Sequence, residues 1–256
     1  MRKTFLSPFV IKNLLLVSIG MTAAVILVYR SNSTVNQHAE PNPTSVSVFT
    51  VLQAHSSRHE EWVRFTENGT LMYYTDSSAG SQRVFERRLQ LSTDRSFVRY
   101  DKGTLNRNQS FLFNGYTLIR TTFEAEIKLE ARVLDGVEAA SIKFQIATFG
   151  LLPILRRLSE PGTQVVFVGA TSNGNRFQVK TVSGSWYFYS NSKHLIDRLE
   201  FGDINITYED YRTVDGLNLP FCQRVKKGDK LLYEIKFDTF DLNPVFAAGF
   251  FKSDLL

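Results

Sequence analysis

Residues Ser141–Leu158 read SIKFQIATFGLLPILRRL and form a strongly apolar segment in the middle of the chain. Apolar residues lie on several faces of a helix with this sequence, which is typical of a buried helix. Pro153 has no backbone N–H to donate, so we predict one helix that ends near Phe149 and a short one that ends near Leu158. We assign a gating role to Gly150 and Pro153, because the bend they cause is expected to set the mouth of any cleft beneath the helix.

Alternating patterns typical of β-strands flank this segment on both sides. The clearest is Lys230–Phe240, in which Leu231, Tyr233, Ile235 and Phe237 alternate with mostly polar residues. The other predicted strands span residues 62–75, 83–92, 96–101 and 110–113 before the helices, and 164–170, 176–182, 185–190, 204–214 and 219–225 after them. About ten antiparallel strands in meander order, with the helix after the fourth, predict an α+β fold. We expect a curved antiparallel sheet that forms a half-open β-barrel with helices packed on its concave side.

A short leading helix is predicted between Ser45 and Glu61, because apolar residues and His55 fall there at helical spacing. His55 and His59 are four residues apart and would share one helix face, as a metal-binding pair does. No third ligand follows at the spacing of a known motif. A surface or packing role is therefore favoured over a metal site.

Motifs that carry catalysis or bind cofactors are absent from the sequence. It contains no GxSxG, HExxH, P-loop, GxGxxG or CxxC pattern. The single cysteine, Cys222, excludes an intramolecular disulfide and a zinc quartet. We therefore predict a non-enzymatic protein with no metal and no cofactor.

The positive charge of the chain is concentrated at its N-terminus. The formal net charge is +5, and four of the 30 basic residues are Arg2, Lys3, Lys12 and Arg30. The rest of the chain is nearly neutral. A nucleic-acid-binding domain needs a basic face of its own, so no nucleic-acid partner is expected.

The N-terminal segment is predicted to be a signal or a membrane anchor. Leu14–Tyr29 reads LLLVSIGMTAAVILVY, an apolar run that follows basic residues and places the rest of the chain across the membrane from the cytoplasm. A cleavage site fits the sequence poorly, so an uncleaved anchor over residues 1–30 is favoured over a cleaved signal. Residues 31–45 are polar and contain two prolines, which predicts a linker. Residues 46–256 are expected to form one domain.

Aromatic residues occupy inward-facing positions on the predicted strands. They are the candidate cavity-lining residues Phe85, Phe111, Phe113, Trp186, Phe188 and Phe237. Two interpretations stay open, since a filled core and a hollow interior have the same alternation. These side chains form either the solid core between sheet and helix or the lining of a cavity for an apolar ligand.

The C-terminal half resembles a known superfamily. Tyr208–Pro220, YEDYRTVDGLNLP, resembles the late hairpin of bacterial outer-membrane lipoprotein-sorting proteins, the superfamily of the periplasmic lipoprotein carrier and its outer-membrane receptor. The segments VKKGDKLLYEIKF, DLNPVFAAGFF and FGLLPILRRL are similar to other parts of such proteins. The resemblance covers residues 46–256 and implies a half-open barrel whose hydrophobic cavity shields acyl chains. The chain lacks the acylated cysteine of many relatives, which favours a tethered role over long-range shuttling.

Two functional hypotheses follow from these observations. The first is non-enzymatic binding or transfer of a lipid or lipidated protein on the periplasmic side of the bacterial envelope. Its partners would be a lipid or the acyl chain of a lipoprotein, the inner membrane through the N-terminal segment, and an envelope protein. The alternative is a membrane-anchored structural or sensing domain that has a protein partner and no ligand cavity.

Overall fold

The computed structural model describes most of the chain after residue 45. The described residues are 46–56, 64–75, 78–91, 95–101, 107–124, 127–160, 162–181, 184–247 and 250–251. The predicted N-terminal anchor and linker lie outside these residues, as does His59.

Three helices and thirteen strands are present in these described ranges. The helices are α1 (Val48–His55), α2 (Gly136–Thr148) and α3 (Leu152–Ser159). The strands are β1 (Arg64–Thr75), β2 (Ser78–Gln90), β3 (Arg95–Asp101), β4 (Arg107–Asn114), β5 (Leu118–Glu124), β6 (Ile127–Leu134), β7 (Gln164–Thr171), β8 (Gly174–Thr181), β9 (Gly184–Asn191), β10 (Ile196–Phe201), β11 (Ile204–Val214), β12 (Leu217–Lys227) and β13 (Lys230–Leu242).

All strands belong to one antiparallel sheet built from two meanders. The strand order is β6-β5-β4-β3-β2-β1-β13-β12-β11-β10-β9-β8-β7, so the first and last strands pair at the centre. Strands β6 and β7 are the two edges and do not pair, so the sheet stays unclosed. Helices α2 and α3 connect these two edges along the chain. The predicted α+β fold with a curved antiparallel sheet is confirmed.

The main hydrophobic core lies between one face of the sheet and the helices. Alternation along the strands sends one set of side chains to this concave face. Val51 from α1 and Ile154 and Leu155 from α3 are buried in the same cluster as sheet residues such as Phe188 and Ile235. The helices therefore cover the concave face, as predicted.

The strand count and the position of the helices differ from the prediction. About ten strands were expected and thirteen are observed in the described ranges, because β5, β6 and β10 were missed. The helices consequently follow the sixth strand rather than the fourth. Strand β6 alternates, but Ile127 and Val133 are exposed while Arg132 is paired with Glu138 of α2. Apart from the buried Leu134, the residues of β6 are exposed or half-buried on both faces.

The break between α2 and α3 lies near Phe149, as predicted, and α3 ends one residue after Leu158. Helix α2 ends at Thr148, and Gly150 has a φ of 74°, in the left-handed region that favours glycine. Pro153 is in the first turn of α3, where its missing N–H has no intrahelical acceptor. Among the described residues no single helix is long and apolar enough to span a membrane. Helices α2 and α3 meet that criterion only when taken together across their 86° bend.

Gly69 allows β1 and β13 to approach at the seam between the two meanders. A Cβ at this position would lie 2.1 Å from the carbonyl oxygen of Lys236. We expect Gly69→Ala to destabilise the protein by about 1–3 kcal/mol, because backbone must shift to remove the overlap. Urea denaturation of the variant measures this loss. Thr70→Ala, at the next residue of β1, removes atoms instead of adding them and serves as the control; an equal loss in both variants would contradict the explanation.

Candidate ligand-binding site

Four of the predicted lining residues lie around α2 and the bend that follows it. Phe85 and Phe237 form an edge-to-face cluster with Phe149, with ring centroids 4.9–6.1 Å apart. Phe111 is buried and lies beside α2, and the half-buried ring of Phe113 lies 5.1 Å from the ammonium of Lys143. The face of the sheet beneath α2 is therefore aromatic.

The other two predicted residues lie in a separate part of the same core. Phe188 stacks on Phe177 with ring centroids 4.6 Å apart, and Trp186 stacks on Phe201 at 5.0 Å. All four rings are buried on the concave face. The structure thus places the six predicted residues on one face but in two groups.

The interior beneath α2 is filled in this structure. An internal space of about 10 Å³ lies between β3, β4 and α2, and its lining residues include Tyr100, Phe111, Ile142, Gln145 and Ile146. That volume holds about one water molecule. An acyl chain would have to displace α2 to enter this part of the core.

Side chains of the sheet hold the last residues of α2 and the three residues before α3, which together we call the elbow (residues 146–151). Arg87 of β2 donates hydrogen bonds to the carbonyl oxygens of Ile146 (3.2 Å) and Phe149. The last carbonyls of an α-helix have no intrahelical donor. Arg87 therefore supplies donors that the end of α2 needs.

Two residues on the other side of the seam complete the contacts to the elbow. The Gln223 amide donates to the carbonyl oxygen of Thr148 (3.0 Å) and accepts from the N–H of Gly150 (2.6 Å). The hydroxyl of Tyr208 donates to the carbonyl oxygen of Gly150 (3.2 Å). Gln223 and Tyr208 are neighbours across β11 and β12 and are buried. The elbow is thus bound from both halves of the sheet.

A buried ion pair lies beneath the elbow. Arg87 Nη1 is 3.1 Å from Glu67 Oε2, and both side chains have no solvent exposure. Burial raises the pKa of Glu67, and the charge of Arg87 opposes that shift. Among the described residues, Glu67 Oε1 and Arg87 Nε have no hydrogen-bond partner. A buried pair of this kind is held in place by its remaining hydrogen bonds, which go to the elbow.

Three buried tyrosines lie in the core on the same face of the sheet as this ion pair. Burial raises the pKa values of Tyr100, Tyr208 and Tyr233 above their ordinary range, so all three keep their protons. The hydroxyl of Tyr233 has no hydrogen-bond partner within the described part of the chain. The hydrophobic interior therefore contains a polar patch, which we define as Glu67, Arg87, Tyr208, Gln223 and Tyr233.

The aromatic pattern did not reveal the polar patch, although the sequence contains a signal for it. Arg87 is in phase with the inward-facing residues Phe85 and Leu89 on β2. Glu67 lies directly opposite Arg87 on β1 and is in phase with Phe65. Opposite charges at inward positions of neighbouring strands indicate a buried pair, since isolated buried charges are too costly.

Helix α2 is only partly buried. Ile142, Phe144 and Ile146 pack against the core but keep some exposure, and Val137 is 56% exposed. Polar contacts at its first turn join Glu138 to arginines of β5 and β6, at 2.7–2.9 Å. The helix therefore rests on the sheet through a limited apolar contact and is held at its two ends.

His55 fixes α1 to the sheet. Its Nε2 accepts from the backbone N–H of Ile196 (2.9 Å), so Nδ1 carries the proton and donates to the carbonyl oxygen of Asn218 (2.9 Å). Burial lowers the pKa of His55 to about 4. His55 thus has the packing role that was favoured over metal binding. Among the described residues, no group of three His, Cys, Asp or Glu side chains is arranged to hold a metal ion.

Comparison with known proteins identifies the fold. No protein-family model and no curated protein sequence matches the chain. A DUF1329 family protein from Desulfovibrio piger superposes with a TM-score of 0.59 and 9% identity, over 81% of this chain and 96% of that one. A LolA superfamily protein from Nitrosomonas europaea gives a TM-score of 0.58 and 13% identity, over 83% of this chain and 100% of that one.

The chain therefore has a LolA-like fold. At 9% and 13% identity these similarities establish the fold alone. The resemblance predicted from the sequence is confirmed at this level.

Proposed function

We propose that this protein is a non-enzymatic carrier that binds the acyl chains of a lipid or lipidated protein between the concave face of the sheet and helix α2. The observation that carries the proposal is the elbow. Its contacts to the sheet are side-chain hydrogen bonds and the packing of Phe149 on Phe85 and Phe237, so α2 can leave the sheet without breaking any strand pairing. The LolA-like fold supports the same function.

Displacement of α2 would expose an apolar surface suited to acyl chains. The aromatic rings of Phe85, Phe111 and Phe237 lie beneath the helix and the elbow. Burial of apolar surface contributes about 25 cal/mol per Å², so an acyl chain in this cleft gains several kcal/mol. That gain offsets the loss of the contacts between α2 and the sheet. The predicted lining residues thus act as core in the closed protein and as cavity wall in the open one.

The N-terminal sequence and the fold both support a location in the periplasm. In this proposal residues 1–30 are an anchor in the inner membrane, residues 31–45 are a linker, and residues 46–256 are the carrier domain in the periplasm. An anchored carrier acts near the membrane that holds it. It would pass its lipid or lipoprotein to an envelope partner within the reach of the linker.

Binding of a fluorescent fatty acid to the full chain tests the proposal. The protein is kept in solution with an amphipol, and native mass spectrometry identifies lipids that copurify. We expect saturable fluorescence that unlabelled diacyl lipid displaces. If no saturable binding and no copurifying lipid is found, the carrier function is wrong.

Gly150→Ala is expected to raise the affinity for the fatty acid about fivefold. An alanine at a φ of 74° strains the closed elbow by about 1 kcal/mol, and the strain is relieved when the elbow leaves the sheet. The new Cβ makes only ordinary contacts, 3.5 Å from its nearest neighbours, so the sheet itself is not perturbed. Fluorescence titration of both proteins measures the ratio.

Gly202→Ala is the matched control for this prediction. Gly202 has a φ of 62° in the turn between β10 and β11, and a Cβ there meets nothing within 4 Å. The backbone strain is therefore similar, but it is placed away from the elbow. An equal rise in affinity in both variants would show that opening of the elbow does not control uptake.

The filled interior supports a second candidate function. The space beneath α2 is only about 10 Å³, too small for an acyl chain. In this second proposal the domain keeps its solid core and serves as a structural or sensing module that binds an envelope protein. In vivo cross-linking of the full chain distinguishes the two functions. A specific cross-linked protein together with no lipid binding would favour this second function.

A further inference from the structure

We infer that the ligand carries neutral carbonyl groups, as an acyl ester or amide does, and that the polar patch binds them when the elbow is displaced. This inference rests on the proposed function and names its ligand class. A pure hydrocarbon would fill the apolar part of the cleft but leave the patch without acceptors, and an alkyl ether would offer it only weaker acceptors.

The closed protein shows which chemistry the patch accepts. Four hydrogen bonds run from its side chains to the elbow, two from Arg87 and one each from Gln223 and Tyr208. Every acceptor is a backbone carbonyl oxygen. Displacement of the elbow would leave these donors unpaired in an apolar cleft, and each unpaired buried donor is costly. Carbonyl oxygens of the ligand would replace those of the elbow.

The ion pair makes the patch neutral. Glu67 lies 3.1 Å from Arg87, so the positive charge is already balanced within the protein. A carboxylate or phosphate group at the patch would add a negative charge beside Glu67 in a buried place, which is unfavourable, so the acid group of the fatty-acid probe would stay outside the patch while its chain occupies the apolar part of the cleft. A neutral ester or amide carbonyl accepts the same hydrogen bonds without that repulsion.

Tyr233 provides an independent observation. Its side chain is 1% exposed, and its hydroxyl has no partner among the described residues. Tyr233 is opposite Val225 of β12, which is the next residue on the inward face after Gln223 of the patch. Buried hydroxyls in proteins normally have a partner. A ligand carbonyl would supply the missing acceptor.

Competition between a matched ester and ether tests the inference. Dioctanoylglycerol and its dioctyl ether analogue have equal chain lengths and no charge, and differ in the two carbonyl groups. Each is titrated against the full chain loaded with the fluorescent fatty acid, in the same amphipol. We expect the ester to compete about tenfold better than the ether, as loss of hydrogen bonds to buried donors predicts.

Tyr233→Phe separates ligand recognition from folding. Because the hydroxyl has no partner among the described residues of the closed protein, we expect an unchanged melting temperature and a smaller ratio of ester to ether affinity. Tyr187→Phe is the control. Tyr187 lies between the core residues Trp186 and Phe188 on β9, so its side chain is on the outer face of the sheet, and its hydroxyl accepts a hydrogen bond from Gln178. Its ratio should equal that of the parent protein.

The outcomes distinguish the inference from the proposed function. Equal competition by ester and ether would overturn the inference and leave the carrier function intact. An unchanged ratio in Tyr233→Phe would also contradict it. If neither compound displaces the fatty acid and the fatty acid itself does not bind, the proposed function fails as well.

Discussion

Replacing Arg87 by leucine is expected to destabilise the protein by about 3–5 kcal/mol, the largest effect among the variants considered. The change leaves Glu67 charged and unpaired in a fully buried site. It also removes two donors from the carbonyl oxygens of Ile146 and Phe149 at the elbow. Urea denaturation followed by tryptophan fluorescence and circular dichroism measures the loss.

A double variant shows which part of this loss comes from the buried charge. Arg87→Leu combined with Glu67→Leu removes both charges, so it should be more stable than Arg87→Leu alone. The stability that the double variant still lacks relative to the parent protein measures the loss of the hydrogen bonds to the carbonyl groups of the elbow. Arg88→Leu is the control, since Arg88 is partly exposed and pairs with Glu86 on the outer face. If Arg87→Leu and Arg88→Leu lose equal stability, the buried pair does not hold the elbow.

Acidification is expected to weaken the fold through His55 by about 3 kcal/mol between pH 6.5 and pH 4. The pKa of His55 is about 4 in the folded protein and near 6.5 when the side chain is solvated. Below pH 6.5 the unfolded chain therefore binds a proton that the folded protein does not. The stabilisation by the neutral imidazole is complete above pH 6.5 and is lost as the pH falls towards 4.

Comparison with His55→Gln isolates this effect from other titrating groups. Glutamine can donate to the carbonyl oxygen of Asn218 and accept from the N–H of Ile196, but it does not titrate. Burial raises the pKa values of Glu67 and Asp197, which changes stability with pH in the opposite direction. The difference in free energy of unfolding between parent and variant should therefore shrink or reverse as pH falls. A difference that stays constant from pH 7 to pH 4 would contradict the assignment.

Local sequence patterns predicted the architecture because each depends on near neighbours. Alternation along β13 and the turn residues between strands identify antiparallel hairpins without knowledge of the whole chain. The apolar segment Ser141–Leu158 predicted two helices over the sheet, and α2 and α3 confirm them. Strand β6 was missed although Ile127, Leu129 and Val133 alternate with charged residues; these apolar side chains are exposed at the edge of the sheet instead of buried.

The contacts that close the site depend on residues far apart in the sequence. Arg87 meets the elbow across about 60 residues, and Gln223 meets it across about 75. Nothing in a local pattern specifies which inward-facing polar side chain will find which carbonyl group. The bend was predicted near Phe149 from Gly150 and Pro153 and lies there, whereas the donors that hold it were not predicted.

The pairing of β1 with β13 also has a consequence for how the chain folds. Phe65 lies opposite Leu242, so this central ladder joins residues that are separated by almost the whole domain. Each meander consists of hairpins between consecutive strands, which form quickly because their loops are short. Strand β1 then keeps one unpaired edge until the thirteenth strand is available. Another unfolded chain can pair with that open edge and start aggregation. Folding of the second meander closes the edge, because it brings β13 alongside β1.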